Sequence, residues 1–264
     1  MVKITNIFSI FLVLFTVGCG KKPGASKPMA EAPAGAAAGS EAKPADAQAP
    51  AVGLGKITGK VVLSGTPPEA AMIKMDADPY CKAHHSGPVA SETVVVGAGG
   101  ALKNVLVYLK KGTQGKTIPP VPKDKPMLDQ VGCQYVPHML AVRVGQAFTI
   151  RNSDGTLHNV HATGVANKEF NLGQPVQGMS SDKTFNSPEV VVRFKCDVHP
   201  WMGACVAVLE HPWFAVTGDD GTFTIANVPA GTYTVEAWHE ALPAQTAEVT
   251  VAGAETPANF TFQK

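Results

Sequence analysis

The sequence predicts an all-β fold, and three observations lead to that prediction. Gly and Pro recur along the chain, with 26 and 21 copies among 264 residues, which is typical of many short strands separated by turns. Apolar residues alternate at a period of two in four segments, at residues 57–63, 105–109, 142–144 and 223–225. Helical periodicity is nearly absent, with residues 66–85 the only ambiguous stretch. About 210 residues follow the N-terminal region, so we expect two β-sandwiches.

Residues 1–19 have the pattern of an export signal. Lys3 supplies a positive charge, and residues 7–17 form an apolar run that is too short to span a bilayer as a stable helix. Residues 15–19, Phe-Thr-Val-Gly-Cys, resemble a bacterial lipobox, which implies lipidation of Cys19 after cleavage. The alternative is a simple cleaved signal with an incidental cysteine. Under either interpretation we expect an exported bacterial protein, periplasmic or anchored to the outer membrane.

Residues 20–52 are dominated by Ala, Pro, Gly and Lys, with almost no large apolar side chain. Such a segment cannot bury enough surface to offset the entropy lost on ordering. We therefore expect a disordered linker that tethers the folded part to the membrane through the lipid anchor. The net charge of +1 gives no argument for nucleic-acid binding, and none is predicted.

Four potential metal ligands occur in two segments. His158 lies upstream, whereas Cys196, His199 and Met202 follow in a Cys-x2-His-x2-Met arrangement. One thiolate, two imidazoles and a thioether are the donors of a blue-copper electron-transfer centre. Sulfur donors favour copper or zinc, and a weak thioether favours copper because structural zinc prefers four strong ligands. The sequence therefore predicts a copper site.

The two segments resemble a known family. Residues 194–202, Phe-Lys-Cys-Asp-Val-His-Pro-Trp-Met, are similar to the copper loop of the cupredoxins, with a loop length like that of amicyanin. Residues 158–161, His-Asn-Val-His, are similar to the upstream ligand segment. The resemblance covers about a third of the chain and implies a Greek-key β-sandwich, placed at residues 127–211, that binds one type 1 copper ion.

The resemblance also implies a role for each residue of the site. The metal ligands would be His158, Cys196 and His199 in the equatorial positions and Met202 in the axial one. Asn159 would tether the two ligand loops. His199 and Trp201 would form the electron port, where the imidazole edge meets the surface. His161 lies three residues past His158, and on a strand this odd offset puts the two on opposite faces, so the resemblance selects His158.

A second resemblance concerns the C-terminal part of the chain. Residues 216–225 and 228–235 predict two strands, each associated with a turn whose glycine permits positive φ. They resemble the carboxypeptidase regulatory-like domain, a transthyretin-like β-sandwich without catalytic residues. The resemblance implies earlier strands, and residues 57–61 and 103–109 are similar to them.

Those earlier strands lie upstream of the copper segment, which leads to an insertion hypothesis. Residues 53–126 and 212–264 would form the transthyretin-like sandwich, with the cupredoxin-like sandwich inserted between them. Insertion at an exposed loop is tolerated when its entry and exit points lie close together. In the rival arrangement, residues 53–211 form one enlarged cupredoxin domain. The two arrangements differ in whether residues 55–64 pair with 222–226 or with 142–150.

The five cysteines have four different predicted roles. Cys19 is the lipidation candidate and Cys196 is the copper thiolate, which leaves Cys81, Cys133 and Cys205. In an oxidising compartment paired thiols become disulfides, and we predict a Cys81–Cys133 bridge because each of the two lies near a loop edge and together they would join the host sandwich to the inserted one. Cys205 would then be a free, buried thiol. Three cysteines allow three pairings, so the sequence alone does not fix this one.

The predicted function is electron transfer by a copper ion that cycles between Cu(I) and Cu(II). The sequence contains no hydrolytic or phosphate-binding motif, and we expect no enzymatic activity. A protein partner would bind transiently, as redox partners do. Two alternatives stay open at this point: a periplasmic copper-binding or delivery protein, and a surface module that binds carbohydrate or protein.

Overall fold

The computed structural model of the protein describes residues 53–264, and β-strands dominate them. The first ten strands are β1 (Leu54–Ser64), β2 (Met72–Ile73), β3 (Val89–Ala90), β4 (Leu106–Lys111), β5 (Met127–Val131), β6 (Gln134–Val136), β7 (Met139–Arg143), β8 (Ala147–Asn152), β9 (His158–Thr163) and β10 (Phe170–Gln174). The others are β11 (Ser180–Thr184), β12 (Glu189–Lys195), β13 (Gly203–Leu209), β14 (Phe214–Val216), β15 (Thr222–Pro229), β16 (Gly231–His239), β17 (Leu242–Val251), β18 (Glu255–Pro257) and β19 (Phe260–Gln263). This part of the chain also contains a short helix, α1 (Pro79–Ala83), and a 3-10 turn at Ala98–Gly100. The all-β fold class is confirmed.

The alternation read from the sequence corresponds to burial in the strands. In β1, Ile57, Val61 and Leu63 point into the core, whereas Lys60 faces solvent. This period of two follows from the pleat of a strand, which directs successive side chains to opposite faces. β4 differs, because four consecutive residues are buried. A strand covered on both faces shows such a continuous apolar run.

The first sandwich combines the beginning and the end of the described chain. One sheet has the strand order β15-β1-β18, with β19 also paired to β1, and the other has the order β14-β4-β16-β17. Its core contains Ile57, Leu102, Trp213, Phe223 and Phe262. Burying these apolar side chains provides the main favourable contribution to folding of this sandwich.

The second sandwich contains the intervening strands. One sheet has the order β10-β9-β12-β13-β7, and the other has the order β11-β8-β5-β6. Leu128, Phe148, Ile150 and Phe194 lie in its core. Because β9 and β12 are antiparallel neighbours in one sheet, the start of β9 and the end of β12 lie at the same end of that sheet.

Strand pairing shows how the two sandwiches are connected. β1 pairs antiparallel with β15, with Ile57 opposite Ile225, so residues 54–64 pair with 222–229. This is the pairing that an insertion requires. The two sandwiches meet where Tyr108 of β4 packs in one apolar cluster with Met139 of β7 and Leu209 of β13, which explains why β4 is buried on both faces.

The structure corrects one part of the predicted domain division. Residues 72–90 were expected in the transthyretin-like sandwich, but Met75 and Cys81 are buried in the core of the second sandwich. A disulfide bond joins Cys81 to Cys133, with 5.6 Å between the Cα atoms. The predicted cysteine pair therefore attaches an upstream segment to the second sandwich. It does not join one sandwich to the other.

The N-terminal predictions concern residues that the structure does not describe. The signal peptide at 1–19, its lipidation candidate Cys19 and the linker at 20–52 all lie outside the described range. Within residues 53–264, no helix is long and apolar enough to cross a membrane.

Candidate metal centre

The ligand segments are brought together by the pairing of β9 with β12. Lys195, the last residue of β12, pairs with His161 of β9, and Cys196 follows immediately. The chain then turns back, because the N–H of Met202 donates to the carbonyl of His199 at 2.9 Å and the N–H of Cys196 donates to the carbonyl of Met202 at 3.3 Å. These bonds fix the loop that carries three of the predicted ligands.

Three predicted ligands converge on one point. One donor atom each from His158, Cys196 and His199 lies within 4.8 Å of the other two. The Nδ1 atoms of the two imidazoles are 2.9 Å apart, and the Cys196 Sγ is 3.8 Å from the Nδ1 of His199. All three side chains are buried. Met202 is buried in the adjoining core of the second sandwich.

Each imidazole also contacts a carboxylate through its other nitrogen. The Nε2 of His158 is 2.9 Å from Asp154 Oδ2, and the Nε2 of His199 is 2.9 Å from Asp78 Oδ2. Each ring therefore directs Nε2 to a carboxylate and Nδ1 to the shared centre. Such outer partners fix the orientation of a metal-binding imidazole and increase its basicity.

Backbone contacts hold Asp154 in place. The N–H groups of Gly132 and Cys133 donate to its two carboxylate oxygens, each at 2.8 Å. Burial alone would raise the pKa of Asp154, but the hydrogen bonds from His158 and from these N–H groups lower it. The carboxylate is therefore charged where it contacts the ring.

Asp78 is held at the start of α1. Its Oδ1 accepts hydrogen bonds from the N–H groups of Tyr80 and Cys81, as an N-cap residue does. Its Oδ2 accepts from the hydroxyl of Thr156 at 3.2 Å and contacts His199. The His199 hydrogen bond is the largest influence that lowers the pKa of Asp78 below its ordinary value.

The environment of Cys196 favours the thiolate, which is the form that binds metals. Burial alone would raise the pKa of the thiol, but the nearby His158 imidazole and backbone N–H groups lower it to about 7. Two of these N–H groups, from Asn159 and His199, lie 3.5 and 3.4 Å from the sulfur. Conversely, Asp154 and Cys196 outweigh the effect of burial on His158 and raise its pKa to about 8.

Asn159 connects the two ligand segments. Its Oδ1 accepts from the N–H of Asp197 at 2.5 Å, and its Nδ2 donates to Asn171 and Asp197. Its own backbone N–H points to Cys196 Sγ. The structure thus places Asn159 where its predicted tethering role requires.

His161 faces away from the cluster. Its Nδ1 and Nε2 contact Asp197 and Glu169 near the surface, at 2.9 and 2.7 Å. His158 occupies the buried face of the same strand. Only one of the two upstream histidines therefore reaches the centre, as the alternation of a strand dictates.

The predicted electron port is corrected by the structure. His199 is only 2% exposed, because Asp78 and the start of α1 cover its Nε2 edge. Trp201 is half-buried, with its ring centroid 5.1 Å from that of His199, and its indole N–H donates to the Cys133 carbonyl. The prediction of an imidazole edge at the surface is therefore wrong for His199.

The two carboxylates that contact the imidazoles were not predicted from the sequence. Asp154 lies four residues before His158, so its proximity to that ligand was visible in the sequence. Asp78 precedes a proline, which is a helix-start signal, but it is 121 residues from His199. Nothing in the sequence connects that signal with the ligand loop.

The donor set fits copper. Two imidazole nitrogens and one sulfur converge in a buried site, and two sulfur-containing residues stand in the same loop. A His2Cys set with a thioether nearby is typical of blue-copper sites. The Cys81 and Cys133 sulfurs also lie within 4.8 Å of an imidazole nitrogen, but their disulfide removes them as thiolate donors.

Comparison with known proteins gives one family match. A family model of the carboxypeptidase regulatory-like domain matches residues 191–263, which is less than half of the chain. The match includes β14–β19, which belong to the first sandwich, and also β13 and most of β12 of the second. No curated protein matches the chain.

Solved structures that are similar to part of this chain include a nitrite reductase, a cupredoxin and an amicyanin. A copper-containing nitrite reductase from Thermus scotoductus aligns over 38% of this chain and 25% of its own, with 22% identity and a TM-score of 0.31. A purple cupredoxin from Nitrosopumilus maritimus aligns over 32% of this chain and 99% of its own, with 24% identity and a TM-score of 0.28. A Cu(I) amicyanin mutant aligns over 35% of this chain and 96% of its own, with 25% identity and a TM-score of 0.29.

Proposed function

We propose that the protein binds one copper ion at a type 1 site and transfers electrons. His158, Cys196 and His199 would supply the three strong donors to the ion, and Met202 would supply a weak thioether donor. The observation that carries the proposal is the convergence of two Nδ1 atoms and a sulfur in a buried cluster. Copper held in this way supplies a one-electron couple between Cu(I) and Cu(II).

The surrounding residues suit electron transfer because they fix the ligands before any metal binds. Carboxylates orient both imidazoles, and backbone N–H groups point at the sulfur. A rigid ligand set moves little when the ion changes its oxidation state. Hydrogen bonds to the sulfur and the apolar surroundings then tune the reduction potential.

The burial of the ligands argues against a function in copper delivery. A protein that hands copper to an acceptor must release it easily, whereas the three converging ligands are each at most 2% exposed. We therefore rank electron transfer above copper delivery. The partner is a redox protein that docks transiently, and the protein acts outside the cytoplasm, which agrees with the disulfide and the export-type N-terminus.

Copper loading of the purified protein tests the proposal. Adding Cu(II) to the wild type is expected to give an intense thiolate-to-copper band in the visible spectrum, a type 1 paramagnetic resonance signal and a reversible midpoint in voltammetry. Cys196→Ser removes all three. Cys205→Ser is the matched control, because Cys205 is the other free cysteine in residues 53–264 and is equally buried.

Two results would count against electron transfer. A colourless protein that binds zinc but gives no band with Cu(II) would eliminate the type 1 site. Rapid copper transfer to a weak chelator, together with an irreversible voltammogram, would support delivery instead.

A further inference from the structure

We infer that Asp78 is a positioning residue for the metal ligand His199 and that its segment closes the edge of that imidazole. The inference rests on the proposed function, because it assigns a role toward the same copper ion. It goes beyond that function because it assigns a role to a carboxylate from outside the ligand loops. Since this carboxylate covers the His199 edge, electrons would enter and leave the site elsewhere.

The contacts of Asp78 leave its carboxylate little freedom. One oxygen accepts from two backbone N–H groups of α1, and the other accepts from Thr156 and contacts His199 Nε2 at 2.9 Å. The Asp78 side chain is itself only 21% exposed. A carboxylate held by three donors can fix the ring that it touches.

This contact determines which nitrogen of His199 faces the metal. A carboxylate only accepts hydrogen bonds, so Nε2 must carry the proton. In a neutral imidazole, Nδ1 then has the free lone pair, and it points at His158 Nδ1 and Cys196 Sγ. Asp154 contacts the Nε2 of His158 in the same way. Both rings therefore direct Nδ1 to the shared centre.

The disulfide joins the two segments that supply these carboxylate contacts. Cys81 follows Asp78 by three residues in α1, and Cys133 donates its backbone N–H to Asp154. The Cys81–Cys133 bond thus ties the Asp78 turn to the residues that hold Asp154. This covalent link keeps the turn on the ring edge, where it covers His199.

Two variants separate the carboxylate from the helix cap. Asp78→Asn retains an oxygen that can cap α1 but loses the negative charge. Asp78→Ser also caps α1, but its side chain is too short to reach His199. Asp76→Asn is the matched control, since Asp76 is an exposed carboxylate two residues away that pairs with Lys82.

The expected results concern copper affinity and potential. In Asp78→Asn and Asp78→Ser, Cu(II) affinity measured by chelator competition falls 10- to 100-fold, which is typical when an outer partner of a metal ligand is removed. Losing tenfold more affinity for Cu(II) than for Cu(I) raises the potential by about 59 mV for a one-electron couple. Asp76→Asn leaves both quantities at the wild-type values. Thermal unfolding of each metal-free variant verifies the fold.

An independent readout needs no variant. In the Cu(I) form of the wild type, ¹⁵N shifts should show a protonated Nε2 and a metal-bound Nδ1 in His199. Binding through Nε2, or both Asp78 variants matching the wild type in affinity and potential, would overturn the inference. If instead the wild type shows no thiolate-to-copper band, the proposed function fails, and this outcome is distinguishable from failure of the Asp78 role.

Discussion

Removing the disulfide provides a quantitative test of how the metal-site region is held together. In the double variant Cys81→Ala/Cys133→Ala, the bridge is absent and two fully buried sulfurs are lost. The bridge spans a sequence separation of 52 residues. Closing a loop of this length lowers the entropy of the unfolded chain by about 14 cal/mol/K, or about 4 kcal/mol at room temperature.

The packing effect of the lost sulfurs must be separated from this entropy. Cys205→Ala supplies the scale, because it removes one buried thiol that forms no disulfide, and we expect it to cost about 1 kcal/mol. The loss of unfolding free energy in the double variant, minus twice the loss in Cys205→Ala, isolates the bridge. We expect this difference to be about 4 kcal/mol.

Urea unfolding of the metal-free protein measures these free energies. Trp201 packs against the core of the second sandwich, and Trp213 and Trp238 lie in the first. Fluorescence combined with circular dichroism therefore follows the unfolding of both sandwiches. Equal m-values would show that the variants expose the same surface on unfolding. If the isolated difference is below about 1 kcal/mol, chain entropy does not explain the role of the bridge.

Three further predictions concern other contacts. Burial alone would lower the pKa of His138, but its ion pair with Glu240 raises it, and the pair lowers the pKa of Glu240 against the effect of burial. The contribution of Glu240 to the unfolding free energy is therefore lost as pH falls below 4.5. The contribution of His138 is lost as pH rises above 6.5. Glu240→Gln should cost about 2 kcal/mol of unfolding free energy at a pH between these values and less at alkaline pH, and an equal loss at both would contradict the pair. Gly59→Ala should cost about 3 kcal/mol in thermal or urea unfolding, because a Cβ there would lie 1.7 Å from the Ala258 carbonyl oxygen; wild-type stability would refute this. Asn159→Ala should weaken copper binding at least tenfold in chelator competition by loosening the ligand loops, and unchanged affinity would show that the tether is dispensable.

Much of the fold was predictable because its signals are local. Alternation in β1 and β8 marks their buried faces directly, and glycines mark the turns between strands. The ligand motif is local as well, since Cys196, His199 and Met202 stand within seven residues of one another. A turn of this length brings its side chains together whatever surrounds it.

Other features depend on contacts between distant residues. The pairing of β1 with β15 and the packing of residues 72–90 on the second sandwich follow from burying apolar faces against partners far along the chain. The periodicity of a strand shows that one of its faces is buried, but it does not identify the strand or sheet that covers that face.

By itself, the sequence determined an all-β fold and a set of candidate soft metal ligands, because both are expressed in residue type and short spacing. Only the tertiary structure decided that His199 is covered, since the covering carboxylate, Asp78, comes from 121 residues upstream. Whether an imidazole edge meets water depends on what packs over it. That packing is a property of the folded chain as a whole, and no segment of the ligand loop encodes it.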